Sequence, residues 1–200
     1  MKQIMKTTYG IAALAVLFAF SSLNADAVKI KEDKLKIESG KMLFTLIKTM
    51  AGSESKMTGL ASQMTGSFDM KAKTFDITMQ INLNSFALGG EYKFANDRMH
   101  ETYLESSQYP SANYKGSILS YDPVSGKAKV KGTMTIHGTK KENVTIDGLV
   151  VPSASGSGYL LTADFLVNLK DYNIAVPDIK LATVKEIVSL KMKIELRGAK

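Results

Sequence analysis

The sequence predicts an all-β domain: an antiparallel meander of about eight strands, closing into a barrel or a sandwich, with one short helix near the middle of the chain. Three observations carry this. From Lys34 onward, apolar residues recur with period two, the spacing of a strand with one buried face. Short clusters of Gly, Pro, Ser and Asp separate these runs at regular intervals. One stretch, from about Tyr92 to Ser106, switches to helical spacing.

Along the chain, "MKQIMKTTYGIAALAVLFAFSSLNADA" comes first. Lys2 and Lys6 precede an apolar run from Ile11 to Phe20, and Ala25-Asp26-Ala27 fits a signal-peptidase site. The run is shorter than the roughly 20 residues a bilayer span requires. Residues 1–27 are therefore expected to be a cleaved signal peptide and residues 28–200 a single domain in the periplasm. No cysteine stands at the cleavage point, which closes the lipoprotein route.

The strands follow in order. "FDITMQINLNSF" sets Ile77, Met79, Ile81 and Leu83 against Thr78, Gln80, Asn82 and Asn84. "AKVKGTMTIHG" sets Val130, Met134 and Ile136 against Lys129, Lys131, Thr133 and Thr135. "NVTIDGLV" alternates Val144, Ile146 and Val150 with polar residues, and "YLLTADFLVNL" does the same with Tyr159, Leu161, Ala163, Phe165 and Val167. "SLKMKIELR" closes the series with Leu190, Met192, Ile194 and Leu196. Turns are expected at Lys71–Thr74, in "DPVSGK" after Tyr121, at His137–Lys141 and in "PSASGSG" from Pro152.

Within "YKFANDRMHETYLES", Met99, Tyr103 and Leu104 lie near helical spacing, and Asn96 or Asp97 can cap. Pro110 disfavours helix at Tyr109 and returns the chain to strand. Such a helix can close one barrel mouth, with Tyr103 and Leu104 facing the interior and Glu101 and Glu105 facing water.

Composition removes several function classes. With no cysteine, neither disulfides nor thiolate chemistry is available. Without Lys2, Lys6 and Asp26 the net charge falls from +7 to +6, carried by scattered lysines that suit solvent-facing strand positions. Transient contact with an anionic membrane surface is compatible with that charge, and nucleic-acid binding is not expected. His100 and His137 are the only histidines, too few for a zinc site without other ligands at the right spacing. They read as surface or hairpin-stabilising residues. Asp97, Glu101 and Glu105 read as solvated helix charges, and no nucleophile with a base is evident. The chain is expected not to be an enzyme and to need no cofactor.

The sequence also resembles a known family. "DRMHETYLESSQYPSANYKG", "VKGTMTIHGTKKENVTI", "LNSF", "LKDYNIAVP" and the closing "TVKEIVSLKMKIEL" resemble, in order, motifs of the YceI-like family of exported lipocalin-like barrels. The chain departs from the family pattern at Asn173, where Gly is usual, at Leu169, where many members have Arg, and in lacking a histidine in its N-terminal strand region. The resemblance implies an extended antiparallel barrel whose interior holds a polyisoprenoid or similar lipid chain. The expected function is a periplasmic carrier of a long-chain isoprenoid, quinone-like or fatty-acyl ligand. The alternative is a ligand-free stress-response or interaction protein on the same barrel.

The inward faces then supply candidate ligand contacts: Phe44, Met70, Met79, Ile81 and Leu83 in the first half, with Tyr103 and Leu104 from the helix. Met134, Ile136, Val144, Ile146, Leu161, Phe165 and Met192 follow in the second half. Nine of the 11 methionines lie beyond residue 27, and their flexible thioethers suit a ligand of many conformers. The partner is a hydrophobic long-chain ligand; the oligomeric state, a dimer included, stays open.

Overall fold

The computed structural model describes residues 27–199 apart from 91, 177, 180 and 181, so the expected signal peptide, Ala27 excepted, lies outside the described residues. The first elements are β1 (Lys34–Met50), β2 (Ser53–Ala61), β3 (Met64–Asp69), β4 (Thr74–Gln80) and β5 (Phe86–Leu88). Helix α1 (Lys93–Arg98) runs directly into a π-helical turn, Met99–Tyr103. Then come β6 (Ser111–Tyr121), β7 (Lys127–Ile136), β8 (Thr139–Pro152) and β9 (Tyr159–Asn168). A 3-10 turn (Leu169–Tyr172), β10 (Asp178–Ile179), β11 (Ala182–Val184) and β12 (Ile187–Gly198) complete the chain.

Eight of these strands close a barrel. The ring runs β1, β12, β9, β8, β7, β6, β4, β3 and back to β1, with every pair antiparallel. The closing seam is short: Lys34, Leu35 and Lys36 pair with Asp69, Phe68 and Ser67. Closure decides between barrel and sandwich, because no wall strand is left with an open edge at that level.

The period-two faces explain the interior. On β9, Tyr159, Leu161, Ala163 and Val167 are buried while Asp164 is exposed. On β12, Val188, Leu190, Ile194 and Leu196 are buried while Lys191 and Lys193 face water. Each large side chain so buried contributes about 1.5–3 kcal/mol.

Four further strands build a collar at one end. β2 pairs with the second half of β1, β5 pairs with β2, β11 pairs with the tip of β1, and β10 pairs with β11. The sequence signal for β2 is weak because its inward positions are Met57, Gly59 and Ala61, only one of them large. Gly59 is required there: a Cβ would lie 2.0 Å from the Phe44 ring, which covers this position.

Two boundaries differ from the sequence expectation. "FDITMQINLNSF" is not one strand. It breaks after Gln80, because the Asn82 carbonyl accepts from the amides of Ser85 and Phe86 and its side chain accepts from Asn84 N. Leu83 consequently sits on an exposed turn. The helix also begins earlier than a cap at Asn96 or Asp97 requires, with Tyr92 at its N-cap and no side-chain cap bond. The Asn96 amide is used elsewhere: it accepts from Leu88 N at 2.7 Å and donates to Leu88 O at 3.1 Å, tying α1 to β5.

The Tyr109–Pro110 corner locks onto the β7–β8 hairpin. His137 and Gly138 both have positive φ (50° and 70°), as a two-residue primed turn demands. The Tyr109 ring packs against His137 with centroids 4.4 Å apart and would lie 2.7 Å from a Cβ at position 138, so only glycine fits.

A two-chamber barrel as the candidate ligand site

The barrel interior holds two cavities in succession along the strands. β4 contributes Phe75 and Ile77 to the lower chamber and Met79 to the upper, where Ile81, just past its end, also lies. β9 contributes Leu161 and Ala163 below and Val167 above, where Leu169 of the following 3-10 turn joins it. β12 runs the other way, giving Leu190 and Val188 to the upper chamber and Met192 and Leu196 to the lower. One alternating face per strand thus serves both.

The upper chamber has a volume of about 340 Å³ and the lower about 60 Å³. Ligand sites of small-molecule binders run to roughly 300–1,000 Å³, so only the upper chamber reaches that range. Its walls are almost wholly apolar. Among the described residues that line it, Lys48 and Arg98 alone carry charge.

The lower chamber is closed by the segment before β1. Ile30 lines it, and Val28 N donates to Pro123 O. The Tyr121 hydroxyl donates to Val28 O. Tyr159 accepts from Lys31 N at 3.2 Å and donates to a Glu32 carboxylate oxygen at 2.7 Å. That hydroxyl holds the Glu32 carboxyl below the usual glutamate range. Burial, with the hydrogen bond to Glu32 second, pushes the Tyr159 phenol up. Deeper in, burial pushes Tyr114 up to about 12, with Tyr172 adding to the shift. Its neutral hydroxyl donates to Val144 O at 2.9 Å.

The upper chamber is bounded by α1, the π-helical turn and the collar. His100 fastens this lid. It is buried, and its Nε2 lies 2.6 Å from Phe86 O and its Nδ1 2.6 Å from Ser106 Oγ. A carbonyl only accepts, so Nε2 carries a hydrogen, and in the neutral ring Nδ1 then accepts from the serine hydroxyl. His100 is thus a buried structural residue and not a surface one. His137 sits on the hairpin as expected and meets Glu105 at 2.8 Å. Among the described residues no three His, Asp or Glu side chains come close enough together to hold a metal.

The sequence-predicted contacts divide. Phe44, Met79, Ile81, Tyr103, Leu104 and Ile136 line the upper chamber together. Met70, Ile146, Leu161 and Met192 line the lower one. Met134, Val144 and Phe165 line neither; Met134 is buried core, and Val144 and Phe165 pack against that core between the two levels. Leu83 is no site residue: it is 51% exposed on its turn. Missed contacts include Met42, Leu46 and Lys48, which share the β1 face with Phe44 at period two, a signal present in "KMLFTLIK". Ile174, Ala182 and Val184 come from the collar region, where strands of two or three residues leave no periodicity to read. Asn173, where the family usually has Gly, adopts the left-handed conformation at φ 57° and donates to Thr139 Oγ1 at 3.0 Å, so asparagine takes the glycine position. Leu169 lines the upper chamber as an apolar residue.

The fold recurs in solved structures. BcnA of Burkholderia cenocepacia superposes with a TM-score of 0.57 at 18% identity, over 78% of this chain and 95% of that one. A polyisoprenoid-binding domain from Saccharophagus degradans, implicated in plant cell wall breakdown, gives a TM-score of 0.61 at 13% identity, over 84% and 100%. The YceI protein of Campylobacter jejuni gives 0.51 at 16% identity, over 98% and 99%. No curated protein matches the sequence. The family model of the YceI-like domain matches residues 23–196, and the chain belongs to that family.

Proposed function

We propose that this protein binds a long-chain apolar ligand, isoprenoid, quinone-like or fatty-acyl, in the upper chamber and carries or sequesters it in the periplasm. The observation that carries the reading is the upper chamber itself: about 340 Å³, lined by apolar side chains from β1, β4, β9, β12 and the helical lid, with charge, among the described residues, only at Lys48 and Arg98. Four methionines, Met42, Met57, Met79 and Met99, are among its walls and can follow a flexible chain. Each methylene moved from water into such a chamber contributes about 0.8 kcal/mol, so a long chain supplies ample drive after ordering costs. The polyisoprenoid-binding domain of Saccharophagus degradans, which shares the fold, supports the same ligand class. No catalytic step is part of this reading.

Native mass spectrometry of protein purified without added lipid, followed by organic extraction, tests it. A co-purifying long-chain mass is the expected result. A clean apo mass from several hosts, with no uptake of offered lipid, favours a ligand-free interaction protein instead. The periplasmic part of the reading rests on the signal sequence and is tested separately: N-terminal sequencing of the periplasmic fraction should begin at Val28, and retention of Lys2 and Lys6 would show a membrane anchor.

A further inference from the structure

We propose that the ligand of the upper chamber carries an acidic head group, a carboxylate or phosphate, whose negative charge is met at the mouth by Lys48 and Arg98. The proposal rests on the long-chain carrier reading above and adds the chemistry of the head.

The inward face of β1 reads Met42, Phe44, Leu46, Lys48: three apolar contacts and then a cation, all lining the same cavity. Register fixes the direction of Lys48. Its cross-strand partners are Ser55 and Val184, and Val184 also lines the cavity. Directly opposed residues share a face of the sheet. The next residue, Thr49, is opposite Glu54 and Thr183, and Thr183 is opposite Asp178. Glu54 and Asp178 therefore stand on the outer face, away from Lys48, and Glu54 is taken by Lys185 at 2.6 Å.

Arg98 lines the cavity from the helix. The neighbouring carboxylate, Asp97, is engaged by Lys93 at 2.9 Å, and the Arg98 guanidinium lies 5.8 Å from the Phe94 ring centroid. Among the described residues neither Lys48 nor Arg98 forms an ion pair. Lys48 is half-buried against an apolar wall and loses hydration, and its long stem reduces that loss by carrying the head toward the mouth, whereas Arg98 is exposed there. An amphiphile with its chain in the chamber brings an oxyanion to that position, where charge-assisted hydrogen bonds form. Tyr92 and Tyr103 line the same cavity and add two phenol groups.

The test compares three probes with one chain: hexadecanoic acid, hexadecyl phosphate and hexadecanol, each radiolabelled, in equilibrium uptake by the mature protein at neutral pH and low salt. At least one of the two acids should bind about tenfold or more tightly than the alcohol, with the gap narrowing as salt screens the mouth. Whichever acid binds tighter names the head. In the Lys48→Met, Arg98→Gln double variant the acid-to-alcohol ratio should fall to within about twofold. The outer-face control Lys193→Met removes the same charge and should keep the ratio. A thermal melt establishes folding, and Arg98→Gln alone, on the exposed helix surface, carries the comparison if the double variant is unfolded. Equal uptake of all three probes, or a ratio unchanged in the folded variants, overturns the head-group assignment and leaves the carrier reading standing. No uptake of any probe overturns both.

Discussion

The His100 ring reaches across from the π-helical turn to the backbone of β5, with Nε2 2.6 Å from Phe86 O. The Phe86 ring in turn stacks on Phe44 of β1, centroids 4.3 Å apart and planes within 4°. The lid is therefore bonded to a three-residue strand that is itself packed against the barrel wall. Ser106 on the far ring nitrogen and Asn96 on Leu88 complete the fastening.

Replacing His100 by phenylalanine should loosen the lid while leaving the walls intact. The change leaves Phe86 O and Ser106 Oγ without their partner, at a cost of about 1–3 kcal/mol for each buried group left unmet. Lids are drawn from the less stable parts of a fold. Release of a fluorescent prenyl analogue should accelerate several-fold with far-UV dichroism unchanged. Leu104→Ala combined with Pro110→Ala should act in the same direction. Parent release rates in folded variants would show that the helix is a strut only.

Met79 and Met134 separate site from core. Met79 lines the upper chamber; Met134 is buried and lines neither cavity. Met79→Gln should weaken lipid uptake at least several-fold with a stability loss of about 1 kcal/mol, while Met134→Gln should cost about 1–3 kcal/mol. Denaturant midpoints read beside uptake decide it. The reverse pattern would place the ligand elsewhere.

Leu83→Ser should be silent. Its side chain is on the exposed Asn82–Ser85 turn, so stability should stay within about 0.5 kcal/mol and uptake should not change. A loss of binding would return Leu83 to the site.

Alkaline stability should depend on Tyr114. Its phenol is raised from 10.0 to about 12 in the folded protein, by burial and then by Tyr172. A raised pKa favours the neutral form in the native state, so the stabilisation is whole below pH 10.0 and drains away as pH climbs through about 12. Tyr114→Phe removes this dependence together with the bond to Val144 O. Its denaturant midpoint should fall less steeply than the parent's over that window. Parallel slopes would assign the alkaline limb to other groups.

How far the sequence reads is decided strand by strand. β7, β8, β9 and β12 are legible because each alternates over ten or more residues around branched or long side chains, and the hairpin at His137–Gly138 announces itself by its Gly. The collar is not, since β5, β10 and β11 are too short for a period and β2 turns Gly59 and Ala61 inward. Ile77, Met79, Ile81 and Leu83 share one alternation, yet an Asn82 turn removes the last of them from the wall. The site was half legible for a related reason: period two says which residues face inward, but not at which level along the axis. Met134 and Phe165 obey the same pattern as Ile136 and still face no chamber.

The seam that joins Lys34, Leu35 and Lys36 to β3 has its counterpart on the other edge of the same strand, where Leu35 is opposite Gly198 and Phe44 opposite Leu190. Residues 146 and 163 positions apart in the chain are thus immediate neighbours, and contacts of that separation make ring formation slow. No partial product of synthesis can complete the cylinder: until Ile187–Gly198 has emerged, β1 and β9 both expose long unpaired backbone edges. The ring therefore stays open until its last strand arrives, and until then the free edges of β1 and β9 can pair with other chains.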